Sequence, residues 1–92
     1  MELSEVGHPD YAETRKAADQ GDADAQFKLG GMFHLGRGVI QDAVMAHMYF
    51  NIASAGGSDS ARKNRDRVAE QMTREQVAEA QRLAREWMER HE

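Results

Sequence analysis

The sequence predicts an all-α fold of about five helices joined as antiparallel hairpins, and three observations lead there. Ala, Glu, Gln, Arg and Met dominate a 92-residue chain whose one proline is Pro9, the composition of good helix formers. Apolar residues recur at helical spacing between glycines at 21, 36 and 57. An offset of 36 residues carries Ala17 onto Ala53, Gly21 onto Gly57 and Ala25 onto Ala61, a period at which stacked two-helix units repeat. So short a chain closes one hydrophobic core. Residues 9–92 are therefore expected to form a single domain, with residues 1–8 as a flexible tail.

The first helix opens at Pro9, whose fixed φ suits a first helical position, and closes at Gly21. Asp22 caps the second, whose stripe is Ala25, Leu29, Met32 and Phe33 and which stops at Gly36. The link Gly36-Arg37-Gly38-Val39-Ile40-Gln41 is a tight turn in which two glycines permit positive φ and Val39-Ile40 offers an apolar plug. Asp42 caps the third helix. Its residues Val44, Met45, Ala46, Met48, Tyr49, Phe50, Ile52 and Ala53 are apolar nearly all round, so it belongs at the centre of the core. Gly56-Gly57 ends it, and Ser58 or Asp59 caps a fourth helix with the thinner stripe Ala61, Val68, Ala69 and Met72. Thr73 with Gln76 makes a capping-box pattern for a fifth helix, about 73–90, with Val77, Ala80, Leu83, Ala84, Trp87 and Met88 on one face. If its partner is the thinly apolar fourth helix, part of the Trp87 face is expected to stay uncovered and to serve as a dimer contact.

Composition excludes several function classes. With no cysteine, there is no disulfide framework, thiolate metal site or cysteine nucleophile. Residues 1–60 hold four Lys or Arg against nine Asp or Glu, and residues 61–92 hold eight against seven. That balance suits contacts with proteins better than nucleic acid, which calls for a basic face. The one basic cluster, Arg62-Lys63-Asn64-Arg65-Asp66-Arg67, reads as a solvated helix face. No window is long and apolar enough to cross a bilayer, and the start carries Glu2 and Glu5 with no apolar run, so a soluble, cytoplasmic protein without membrane contact is expected.

Chemistry-bearing residues are scattered. His8, His34, His47 and His91 show no pairing at three or four residues, the spacing that places two metal ligands on one helix face. No metal or other cofactor is expected. The serines lie in the tail or at helix ends, and Gly36-Arg37-Gly38 lacks the spacing and lysine of a phosphate loop. No catalytic residues are assigned.

The stretch from Ala17-Ala18-Asp19-Gln20-Gly21-Asp22 through Ala25, Leu29-Gly30, Phe33, Gly36, Gly38-Val39, Asp42, Ala46, Phe50 and Ala53 closely resembles the Sel1-like repeat, a relative of the tetratricopeptide repeat. The likeness covers residues 17–57 well and extends loosely to the end, where Ala61 to Trp87 looks like the closing helices of such proteins. Arg65 departs from it by standing where the repeat places a leucine. The resemblance implies a short right-handed α/α superhelix that acts as an adaptor or scaffold for proteins.

By the same resemblance, Phe27, Gly31 and His34, which share a face of the second helix apart from its core stripe, lie on the inner, concave surface. Asp24 is placed with them. Moving 36 residues along brings Lys63 and Arg67 beside this set. Phe27 then offers an apolar contact, Gly31 leaves room for a backbone, and the two cations hold an acidic segment of a protein or peptide partner. The other reading is that Phe27 packs against a neighbouring helix and the cations are merely solvated. A rival function is structural. One full repeat preceded by half a hairpin leaves an end to be covered, for which a second copy of the chain is the candidate, giving a homodimer or larger homo-oligomer.

Overall fold

In the computed structural model, which describes residues 9–91, the chain forms five helices: α1 (Pro9–Asp19), α2 (Ala23–Leu35), α3 (Ala43–Ala55), α4 (Asp59–Ala69) and α5 (Arg74–Arg90). Among the described residues there is no strand. The tail assigned to residues 1–8 lies outside them. The starts of α2 to α5 each follow from a side chain that accepts the orphan N–H groups of a first turn. Asp22 Oδ1 accepts from the Asp24 and Ala25 amides, Asp42 from Met45, and Ser58, not Asp59, from Ala61. At α5 the Thr73 hydroxyl accepts from the Gln76 amide at 3.0 Å while Gln76 Oε1 accepts from the Thr73 amide at 2.9 Å.

The 36-residue period appears in the hydrogen bonds themselves. The Asp22 amide donates to the Ala17 carbonyl at 3.1 Å and the Ser58 amide to the Ala53 carbonyl at 3.0 Å; Gly21 donates to Ala18 and Gly57 to Ser54, both at 3.0 Å. Gly21 (φ 97°) and Gly57 (φ 105°) take the left-handed backbone that these closures require. Two α/α units therefore end on the same turn.

α3 is the hub. It packs against α2, α4 and α5, while α1 packs on α2. Its residues Ala46 through Phe50, with Ile52 and Ala53, are buried, as its all-round apolarity requires. Phe33 stacks on Tyr49 with ring centroids 6.0 Å apart, Tyr11 of α1 meets Phe33 edge-on at 6.3 Å, and Phe27 tilts against Phe50 at 5.8 Å. A buried side-chain bond ties α2 back to α1: Gln26 Nε2 donates to the Ala18 carbonyl at 3.1 Å.

Two expectations about apolar residues are corrected. The Trp87 face is covered, because α5 lies chiefly on α3 rather than on the thin stripe of α4. Trp87 retains only 7% of its exposure, and the His91 imidazole stacks on its indole at 3.8 Å. Of the expected plug in the α2–α3 turn, Val39 packs against the core but Ile40 is 89% exposed. The turn is held by polar contacts instead. The Asp42 amide donates to the Phe33 carbonyl at 3.0 Å and Gln41 Nε2 to the His34 carbonyl at 2.7 Å.

At the amino-terminal end, the residues of α1 turned to solvent include Asp10, Glu13, Arg15 and Lys16, with Arg15 paired to Asp19 at 3.4 Å.

One seam in the core is polar. Arg65 of α4, at the position 36 residues beyond Leu29, donates from a guanidinium N–H to Asn51 Oδ1 of α3 at 3.0 Å and pairs with Asp66 at 2.9 Å. One turn before Asn51, His47 is buried, and its Nδ1 has no hydrogen-bond partner among the described residues. Burial, aided by the Arg65 guanidinium and opposed by the Asp66 carboxylate, holds the His47 imidazole below its ordinary value. The folded state thus takes up the proton less readily than the unfolded chain. Stability from this group is complete above about pH 6.5, the ordinary histidine value, and is lost as the pH falls through the depressed folded value. Urea midpoints are expected to fall between pH 7 and pH 5, and His47→Gln is expected to flatten that slope. An equal slope in the variant would assign it to other groups.

Candidate functional site

α2 and α4 flank a cleft of about 420 Å³ whose wall includes Phe27, Gly31, His34 and Leu35 from α2, Phe50 from α3 and Asn64 from α4. This lies within the range of small binding sites. Phe27 is half-buried against Phe50, so one edge of its ring belongs to the core while the residue still lines the cleft. Both sequence readings of Phe27 thus describe part of its environment. A Cβ built on Gly31 meets nothing within 4 Å, whereas one on the adjacent Gly30 falls 2.5 Å from Phe50 Cδ1. The two glycines serve different ends: Gly30 admits the Phe50 ring, and Gly31 keeps the cleft open. Leu35, 59% exposed, stands at one end.

His34 also borders a second depression, of about 240 Å³, formed with Gln41, Ala43, Val68 and Gln71. The two make a trough along the α2–α4 side of the molecule. Its residues on α4 and the turn that follows are Asn64, Val68 and Gln71, each one position beyond the set obtained by moving Phe27, Gly31 and His34 along by 36. The reason is geometric. A repeat translation preserves the direction in which a residue faces, so the side of α2 turned toward α4 is not carried onto the side of α4 turned toward α2.

The remaining site residues sit around this trough. Asp24 is exposed in the first turn of α2, where its charge faces the positive end of the helix dipole. Lys63 is exposed and lies 3.8 Å from Asp59. Arg67 is exposed in the last turn of α4, three residues beyond Asn64. Neither cation is among the lining residues. Lys28, which does line the cleft, pairs with Asp10 across α2 and α1 at 3.6 Å. Sequence reasoning passed over Leu35, Phe50 and Asn64 as site residues. Phe50 read as core, Leu35 was given no role, and Asn64 was submerged in a basic run.

Among the described residues no three His, Asp or Glu gather as metal ligands, and no helix is long and apolar enough to cross a membrane.

The profile of the Sel1 repeat matches residues 14–22 and 23–58, the second span being one full period and the first the end of the preceding one. The chain belongs to the Sel1-like repeat family. Its hairpins also superpose, with a TM-score of 0.80 and 33% identity over 85% of the chain, on the crystal structure of c5321, a protective antigen present in uropathogenic Escherichia coli strains that displays an SLR fold. The chain spans 17% of that antigen's length. No curated protein matches it. Within the matched span Leu29, Ala46, Phe50 and Ala53 are buried, Gly36 and Gly38 have φ of 71° and 75°, and Asp42 caps α3. Sel1-like repeats are generally modules of protein–protein interaction without chemistry of their own.

Proposed function

We propose that the chain is a non-catalytic adaptor that binds a protein or peptide segment in the trough between α2 and α4, its concave face. The observation that carries this reading is the open cleft over Gly31, walled by Phe27, Leu35 and Phe50. Apolar walls supply affinity through displaced water, and Asn64, His34 and Gln41 supply polar groups that fix a backbone. Lys63 and Arg67, exposed on α4, contribute charge at its border.

Lys63→Glu combined with Arg67→Glu is expected to reduce partner recovery in affinity capture about tenfold or more while leaving the helical circular dichroism unchanged, since exchanging two cations for anions turns attraction into repulsion. Unchanged recovery of the same partners would defeat the proposal. The structural rival is separated by sedimentation at micromolar concentration: a stable dimer that buries Phe27 and Lys63 would leave no trough for an adaptor to use.

A further inference from the structure

We infer that the segment held in this trough presents one large apolar side chain flanked by carboxylates, an inference that rests on the adaptor reading above. The apolar half of the argument is space. Gly31 leaves the middle of the cleft without a side chain, and Phe27, Met32, Leu35 and Phe50 surround that gap. A cleft of about 420 Å³ is large enough for a leucine or phenylalanine side chain together with its backbone, and too apolar to reward a charged one.

The other half is charge. The chain as a whole carries a net charge of −4, yet the border of the trough is positive. Lys28 and Arg37 line the cleft with Asp10 as the sole carboxylate among its walls, and Asp10 lies 3.6 Å from Lys28. Arg37 has no ion pair with a described residue, so its charge is not spent within the fold. The Arg37 guanidinium and the Lys28 ammonium in the walls of an apolar gap fit carboxylates that flank an apolar anchor, because a guanidinium meets a carboxylate with two parallel N–H donors. An acidic protein that turns a basic rim toward its cleft selects acidic segments and repels basic ones.

The test is a set of acetylated, amidated decapeptides with a central leucine or alanine flanked by glutamate, glutamine or lysine, titrated into the full chain labelled with nitrogen-15. The leucine–glutamate peptide is expected to shift the amides of Gly31, Leu35 and Asn64 saturably. The glutamine-flanked version should bind about tenfold more weakly, the loss of roughly one charge-assisted contact, and the lysine-flanked and alanine-centred versions should leave these amides unmoved. Gly31→Leu should remove the response, with Gly31→Ala as the folded reference. Equal binding of glutamate- and lysine-flanked leucine peptides would overturn the charge selection while the adaptor reading stood. An absence of shifts at these amides with every peptide would overturn the inference, leaving the capture experiment with Lys63→Glu and Arg67→Glu to judge the adaptor reading by itself. A ten-nucleotide oligothymidine that shifts the same amides at the same concentration would overturn it in favour of a polyanion site.

Discussion

Trp87→Ala is expected to cost about 3–5 kcal/mol, the range for removing a buried tryptophan and leaving a cavity that neighbours fill only in part. Total stability for a chain of this size is about 5–14 kcal/mol, so the loss is a large share of the whole. The melting temperature should fall by roughly 12 °C or more. The cause is the place of Trp87 in the stack. α5 packs chiefly on α3, and Ala80, Ala84 and Trp87 are its buried residues. Two are alanines, so the indole supplies most of the apolar area that fixes the helix. Trp87→Phe is expected to cost far less. The indole Nε1 has no hydrogen-bond partner among the described residues, so phenylalanine gives up area but no bond. Circular dichroism at 222 nm must be the probe, because Trp87 is the only tryptophan and its fluorescence disappears with it. A loss below about 1 kcal/mol for Trp87→Ala would mean that α5 is not anchored on α3 in solution.

The same residue shows where the sequence stops being legible. Helix limits were readable because a cap is a local event: Asp22, Asp42, Ser58 and Thr73 each bond amides two or three residues away, so no knowledge of the rest of the fold is needed. The repeat was readable for the same reason, since Gly21 and Gly57 announce closures made within one turn. Which helix α5 covers was not readable. Its amphipathic face states that it must be buried, without naming against what, and α3 was available because its apolar residues leave no side indifferent to water. The trough was half readable. Phe27, Gly31 and His34 share a face by helical spacing alone, but the facing residues on α4 depend on how one helix is rotated against another. The polar seam was signalled by Arg65 at a leucine position; its partner Asn51 was not, because a hydrogen bond between residues 14 positions apart leaves no periodic trace.

Gly30 and Gly31 allow one chemical change to be made at adjacent positions with opposite expected signs. Both lie within α2 and neither has positive φ, so Gly→Ala gains about 1 kcal/mol of helix propensity at each. At Gly31 nothing opposes the gain, since the new methyl meets no atom within 4 Å, and stabilisation of about 0.5–1 kcal/mol is expected. At Gly30 the methyl would fall 2.5 Å from Cδ1 and 2.6 Å from Cε1 of Phe50, well inside the 3.5–4.0 Å at which carbons pack. The ring cannot swing into water, being 2% exposed, nor move freely along the core, where Phe27 lies 5.8 Å away. Overpacking of this kind commonly costs 1–3 kcal/mol and sometimes more; a contact so short places Gly30→Ala at the upper end, for a net loss of about 1–3 kcal/mol after the propensity gain. Phe50→Leu added to Gly30→Ala should recover part of that loss, because leucine has no atom in place of Cε1 and its branched end can rotate away from the new methyl, whereas Phe50→Leu alone should destabilise by opening a void. A double-mutant cycle read by urea unfolding therefore has a favourable coupling as its expected result. Additive losses, or a Gly30→Ala chain as stable as Gly31→Ala, would show that α2 and α3 do not approach each other through this glycine. The cleft above Gly31 would then lose its Phe50 wall as well.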